Sequence, residues 1–86
     1  NHKITEYETL AERSFVSHLN GSCSSPIGAS ATIRDNKVFL QGALSSPNGG
    51  YIIKDEISGF YQDAQNIGKV LANSIIKKKK KSFPNE

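Results

Sequence analysis

Between Thr5 and Leu19 the residues Tyr7, Leu10, Ala11, Phe15 and Leu19 recur every third or fourth position, which gathers them on one face of a helix. Thr5-x-x-Glu8 has the form of a capping box and predicts that the helix starts there, while Gly21 offers left-handed angles for its stop. From Ile27 the period falls to two: Ile27, Ala29, Ala31 and Ile33 alternate with Gly28, Ser30, Thr32 and Arg34, predicting a half-buried strand. Asp35-Asn36 supplies a turn, and Val38, Leu40, Gly42 and Leu44 then alternate with Phe39, Gln41 and Ala43 in a second strand. So short a connection makes the pair antiparallel. Ser46 to Gly50 reads as a loop and Tyr51 to Ser58 as a third, isoleucine-rich strand.

After Gly59 the helical period returns, with Ala64, Ile67, Gly68, Leu71 and Ile75 on one stripe and Asp63 in the first turn, where its charge suits the helix dipole. Gly68 costs up to ~1 kcal/mol relative to alanine inside a helix. A close approach to the sheet is the expected compensation. The element order is α-β-β-β-α. The predicted class is therefore α+β: a two-layer sandwich in which both helices cover one face of a three-stranded antiparallel sheet and leave the other bare.

The 86 residues, 36% of them hydrophobic and none tryptophan, suffice for one small core but not for a deep enclosed pocket. A sizeable ligand would need walls from elsewhere. The net charge of +3 is unevenly placed, because Lys77 to Lys81 form one run while residues 1–76 hold six Lys and Arg against seven Asp and Glu, a net of −1. The division expected is a domain over residues 1–76 and a lysine-rich, solvated and disordered tail over 77–86. The chain begins at Asn1 and contains no methionine, as a processed or partial chain would. It shows neither an apolar run of the ~20 residues that span a bilayer nor a charged-then-apolar leader, so a soluble protein without membrane attachment is expected.

Candidate chemistry is sparse. One cysteine cannot form an intrachain disulfide, which favours a reducing compartment, and Cys23, His2 and His18 are too few and wrongly spaced for structural zinc. No metal site is expected. Cys23 lies among Gly21, Ser22, Ser24 and Ser25, where nothing bulky shields it, and Pro26 helps hold the exit extended. Following the negative end of a helix dipole, with no adjacent cation in sequence, the thiol is a poor candidate for a turnover nucleophile but suits a single slow alkylation. His18 falls in the last turn of the helix, where it helps the dipole; Glu12 and Arg13 read as helix-surface or interdomain contacts. Asp35, Asp55, Glu56 and Asp63 read as turn, strand-surface and helix-start residues rather than as catalytic acids.

Ala11-Glu12-Arg13-Ser14-Phe15, Leu19 through Ala29 with its cysteine loop and Pro26-Ile27-Gly28, Gly42-Ala43-Leu44, Asn48-Gly49 and Ile67 through Ala72 together resemble the C-terminal domain of the porphobilinogen deaminases, or hydroxymethylbilane synthases. The resemblance runs from about His2 to Ile76. Where the family usually has Gly-Gly-Cys this chain has Gly21-Ser22-Cys23, and the lysine run replaces the longer C-terminal extension of many members. The resemblance implies an enzyme that condenses four porphobilinogens into hydroxymethylbilane, with release of ammonia, in haem and chlorophyll synthesis. It implies a dipyrromethane cofactor held by a thioether at Cys23, to whose free end new pyrroles add. It also implies that the catalytic carboxylate and the substrate-gripping arginines belong to two preceding domains, so that no catalytic residue lies here and this domain alone is inactive. A monomeric parent, in the cytoplasm or in a plastid, is the corresponding expectation.

The rival class is a small binding module, since double-stranded RNA-binding domains share the α-β-β-β-α order. Those need cations on a structured surface, whereas the second helix opens Tyr61-Gln62-Asp63-Ala64-Gln65 and the lysines gather at its far end. Nucleic acid is therefore not the expected partner. A protein-docking role for the bare sheet face, through Phe39, Ala43 and Tyr51 or Ile52, is compatible with the family resemblance.

Overall fold

Asp35 and Asn36 both adopt left-handed angles, with φ of 52° and 65°. Two successive positive φ values define the two-residue turn whose twist matches that of paired strands. They close a hairpin between β1 (Ile27–Arg34) and β2 (Lys37–Ser45), with Arg34 opposite Lys37 and Ile27 opposite Leu44. The computed structural model describes residues 2–21, 26–46, 50 and 52–82. A third strand, β3 (Ile52–Phe60), pairs antiparallel with the other side of β2, giving the sheet order β1-β2-β3. The helices α1 (His2–Asn20) and α2 (Ala64–Ser82) complete the order α-β-β-β-α, with a 3₁₀ turn at Tyr61–Asp63 leading into α2. The α+β class read from the periodicity is the one observed.

Alternation along the strands sends Val38, Leu40 and Leu44 of β2 under the helices, where all three are fully buried with Phe15, Leu19 and Ile75. The central strand thus takes most of the apolar load, while the inward residues of β1 are only half-buried. Phe15 reaches β2 at Gly42, where a Cβ would lie 2.8 Å from its Cε1 atom. A side chain there would displace the largest ring in the core. On the opposite sheet face Arg34 stacks 5.1 Å from the centre of the Phe39 ring, a cation–π contact on an exposed surface.

The two helices meet more closely than either meets the sheet. A Cβ at Gly68 would lie 2.7 Å from the Ala11 carbonyl oxygen, the Phe15 amide nitrogen and the Ser14 Cβ. The close approach that offsets this glycine is therefore to the α1 backbone, not to the sheet as the apolar stripe suggested. Ala64, Gly68 and Ala72 repeat at four-residue spacing and all are buried, so one small-residue seam of α2 faces Ala11 and Ser14. Ser14 uses the proximity to donate a 2.6 Å hydrogen bond from Oγ to the Gln65 carbonyl.

Several boundaries differ from the sequence reading. The first helix starts at His2, so Thr5 and Glu8 are interior and form no capping box at its start; the Glu8 carboxylate instead accepts from β1. Gly21 follows the helix without left-handed φ. Strand β3 runs on through Gly59 to Phe60, which leaves Asp63 in the 3₁₀ turn just ahead of α2. The expected loop residues Pro47 to Gly49, and Tyr51, lie outside the described residues.

The largest difference is at the lysines. Helix α2 continues through Lys77 to Lys81 and ends at Ser82, where the sequence reading begins a disordered tail. Lysine is a good helix former, and cations are stabilised at a helix C-terminus. A specific tie adds to this: Asp55, half-buried on the helix-facing side of β3 rather than on the strand's open surface, accepts a 2.5 Å hydrogen bond from Ser74 Oγ and lies 3.2 Å from Lys78 Nζ. Its other carboxylate oxygen accepts the Glu56 amide at 2.9 Å. The Ser74 hydrogen bond, with smaller contributions from the Glu56 amide and Lys78, holds the Asp55 carboxyl below its ordinary value against the opposing effect of burial.

Two outcomes are expected. Gly68→Ala forces α1 and α2 apart and destabilises the fold by roughly 1–3 kcal/mol. Gly28→Ala, whose new methyl would meet Ala43 Cβ at 3.9 Å, is the near-neutral control; thermal melts of the two variants check the contrast. Asp55 contributes stability that is complete above the unfolded aspartate value of about 3.9 and is lost as the pH falls through the lower folded value. Asp55→Asn should therefore be less stable than wild type at neutral pH, with the gap between their melting temperatures closing in acid.

Candidate functional site

The last turn of α1 and the first residue of β1 frame the segment 22–25, and both edges of that frame belong to the rigid body of the domain. Leu19 is fully buried in the core, so the helix is fixed up to the point where the chain leaves it. On the far side Pro26 offers its carbonyl to the Ser45 amide at 3.1 Å, which extends the β1–β2 ladder by one residue beyond the Ile27–Leu44 pair. Ser46, next along, is buried. Cys23, the residue singled out from sequence, is in this segment and lies outside the described residues, as do Ser22, Ser24 and Ser25.

A groove of about 630 Å³ leads along α1 and the edge of β1 to the same corner, lined by Glu12, Arg13, Val16, Ser17, Asn20 and Ala29. Arg13 is exposed and is the one cation among its described lining residues. Glu12 is not a helix-surface residue as expected; it is half-buried, and its Oε2 accepts the Ala31 amide of β1 at 2.8 Å. One turn earlier Glu8 Oε2 accepts the Ile33 amide at 2.9 Å. His18 keeps its polar contact within α1, with Nδ1 2.8 Å from the Ser14 carbonyl, in keeping with a structural role at the helix end. Among the described residues no three histidine, cysteine or acidic side chains come together as a metal site.

The Glu8 and Glu12 contacts were missed in the sequence, yet a signal exists for them. Four residues of helix advance about 6 Å and two residues of strand about 6.7 Å, so carboxylates at i and i+4 match alternate amides of a neighbouring edge strand. Recognising the match requires knowing that α1 runs antiparallel beside β1, which local pattern does not state.

At the opposite end of α1 a second cavity, of about 570 Å³, is lined by Lys3, Tyr7, Arg34, Asp35 and Tyr61 among others. Tyr7 and Tyr61 meet there edge to face, 4.8 Å between ring centres. No described helix is long and apolar enough to cross a membrane.

Two helices on one face of a three-stranded antiparallel sheet, with open grooves along α1, define an α+β two-layer domain. The family described as porphobilinogen deaminase, C-terminal domain, matches residues 6–77. This chain belongs to that family. It is 39% identical to a porphobilinogen deaminase of Buchnera aphidicola subsp. Acyrthosiphon pisum (strain Tuc7) over 85 residues, which is 99% of this chain and 27% of the relative. With the porphobilinogen deaminase of Nostoc sp. (strain PCC 7120 / SAG 25.82 / UTEX 2576) it shares 42% identity over 74 residues, 86% of this chain and 23% of that protein. With that of Prochlorococcus marinus (strain MIT 9515) the identity is 38% over 73 residues, 85% and 23% of the two chains. The chain thus spans about a quarter of the length of these relatives.

Proposed function

We propose that this domain carries a dipyrromethane primer on Cys23 through a thioether and presents it to two preceding domains of a porphobilinogen deaminase. The observation that carries the reading is the family match over residues 6–77, a span that includes Cys23. Bound there, the primer supplies the free pyrrole end on which four porphobilinogens are condensed, with loss of ammonia, to hydroxymethylbilane.

The residues present suit that group. The chain has one thiol, and sulfur captures an electron-poor methylene carbon without needing a strong base. A thioether also persists in a reducing compartment, cytoplasm or plastid, where a disulfide would not. Leu19 in the core and the Ser45-to-Pro26 hydrogen bond fix the chain on either side of residues 22–25. Asn20, at the mouth of the groove, is exposed, and the open lining gives a bulky adduct room to leave the surface. Among the described residues that line this groove Arg13 is the single cation, so the groove itself has no cluster of cations to grip several carboxylates. That work, and the proton transfers of the condensation, fall to the preceding domains. The domain's own part is to hold and aim the primer.

The test is peptide mass spectrometry of the full-length parent. A two-pyrrole adduct on the peptide containing Cys23, absent from Cys23→Ala together with at least a thousandfold of the activity, is the expected result. An active parent whose Cys23 thiol is unmodified would sink the reading. The isolated 86-residue domain is expected to bind no porphobilinogen productively and to release no ammonia from it.

A further inference from the structure

The sheet face turned away from the helices carries a pattern of its own. Even-numbered residues of β1 and β3 and odd-numbered residues of β2 point that way, and the pairing register lines them up in rungs across the three strands. The rung nearest the Asp35-Asn36 turn holds Arg34, Lys37 and Phe60; the next on this face holds Thr32, Phe39 and Ser58. Phe60 is 65% exposed and Phe39 37%, whereas Val38, Leu40 and Leu44 of the same central strand are fully buried on the other side. As diagonal neighbours on adjacent strands the two rings share one corner of the face. The Arg34 guanidinium lies 5.1 Å from the centre of the Phe39 ring, so a long side chain and a ring are already ordered there before anything binds. Arg34 and Lys37 are the charged members of the two rungs, and both are cations; Asp35 belongs to the turn itself.

Aromatic rings beside an arginine are the composition enriched at the centre of protein–protein contacts relative to free surface. Two observations say what meets them. First, α1 starts at this end of the domain: Lys3, Ile4 and Tyr7 line one cavity with Ile33, Arg34 and Tyr61, so a chain arriving at α1 from an earlier domain arrives beside the first rung. There is much of that chain to place, because the family matched is a C-terminal domain and the match covers 27% of the Buchnera relative. Second, two cations at an apolar corner are complementary to an acidic counterpart. We propose that the corner formed by Phe39, Phe60, Arg34 and Lys37 is an interdomain docking surface, which seats an apolar patch bearing Asp or Glu on the domain that precedes α1 in the parent chain. The proposal rests on the part of the reading above that places other domains before this one, and not on the primer. Single-stranded nucleic acid is the poorer fit: it needs ring faces free for bases to stack on, and Arg34 already occupies a face of Phe39.

The experiment uses the full-length parent as wild type, Lys37→Glu, Lys37→Arg and Cys23→Ala, each purified with nuclease treatment. Hydroxyl-radical labelling read by mass spectrometry gives the oxidation rate of Phe60 in the folded protein against the same protein unfolded in denaturant. A zero-length carbodiimide, which joins an amine directly to a carboxylate, reports what lies against Lys37. The expected result is Phe60 oxidised roughly tenfold more slowly than in the unfolded chain, as a ring at the centre of an interface is. Lys37 should be joined to an Asp or Glu of the preceding domain in the same chain. Lys37→Glu, which sets like charges against each other, should bring the Phe60 rate back to within about twofold of the unfolded one, while Lys37→Arg keeps the protection. Both substitutions are on exposed surface, so the domain's own core is untouched. Phe60 oxidised in the wild type nearly as fast as in the unfolded chain would overturn the proposal. So would carbodiimide products that form only between isotopically light and heavy copies, which would make a second copy the occupant, or protection seen only when nuclease is omitted, which would make it nucleic acid. Cys23→Ala keeps the two readings apart: it should protect Phe60 as the wild type does, so an active wild type without an adduct ends the primer reading and leaves the docking surface standing on its own labelling result.

Discussion

Everything in this domain is arranged around a contact with no room in it. At Gly68 the two helices approach until the second has only a hydrogen atom to offer the backbone of the first. Side chains of ordinary size at this crossing would hold helix axes some 8–10 Å apart; the seam of Ala64, Gly68 and Ala72 lets them close in, and the Ser14–Gln65 hydrogen bond marks how far they do. With α1 lying chiefly over β1 and α2 over β3, the central strand beneath their seam is the most completely buried and the outer strands carry the half-buried positions. Both flanks answer with polar groups. α1 meets β1 with Glu8 and Glu12, and α2 meets β3 through Ser74 and Lys78 on Asp55.

That division explains which features could be read from the chain. Periodicity follows burial, and burial here is governed by which side of the sheet a residue faces; hence the three strands, both helices and the Asp35-Asn36 turn were all legible. The partner of Gly68 was not, because a helical stripe says which residues are buried but not whether sheet or helix lies across from them. The Glu8 and Glu12 contacts and the Asp55 cluster were likewise invisible, since each joins elements 19 to 25 residues apart in sequence. Thr5-x-x-Glu8 shows how such distant partners mislead: a motif that locally spells a helix start was overruled by an amide on β1. The lysine run is a similar case. Its composition is that of a solvated end, but Lys78 has a carboxylate within reach and the helix continues through it.

For the candidate site the balance was different. The anchors of the loop follow from packing and pairing, but nothing in a glycine- and serine-rich segment announces what its cysteine is for. That reading comes from the resemblance of several short motifs taken in order; family membership is shown for the domain, and the role of its cysteine is the proposal made above. The physical contribution of the structure is to show what surrounds such a loop: a buried leucine before it, a hydrogen-bonded strand start after it, and a groove with little charge of its own.

The two ends of α1 then acquire separate meanings. One borders the Tyr7–Tyr61 cavity and the other delivers the cysteine loop, and between them lie 19 helical residues, or about 28 Å. Clamped to β1 and locked against α2 along its length, this helix behaves as a stiff spoke rather than a hinge. A tilt of the whole domain by about 10° around its His2 end would carry Asn20 through roughly 5 Å, a little more than one helical rise of three residues. Rigid rotation of this small body, with no internal rearrangement, is thus enough to move the C-terminal end of α1 by about the length of one helical turn.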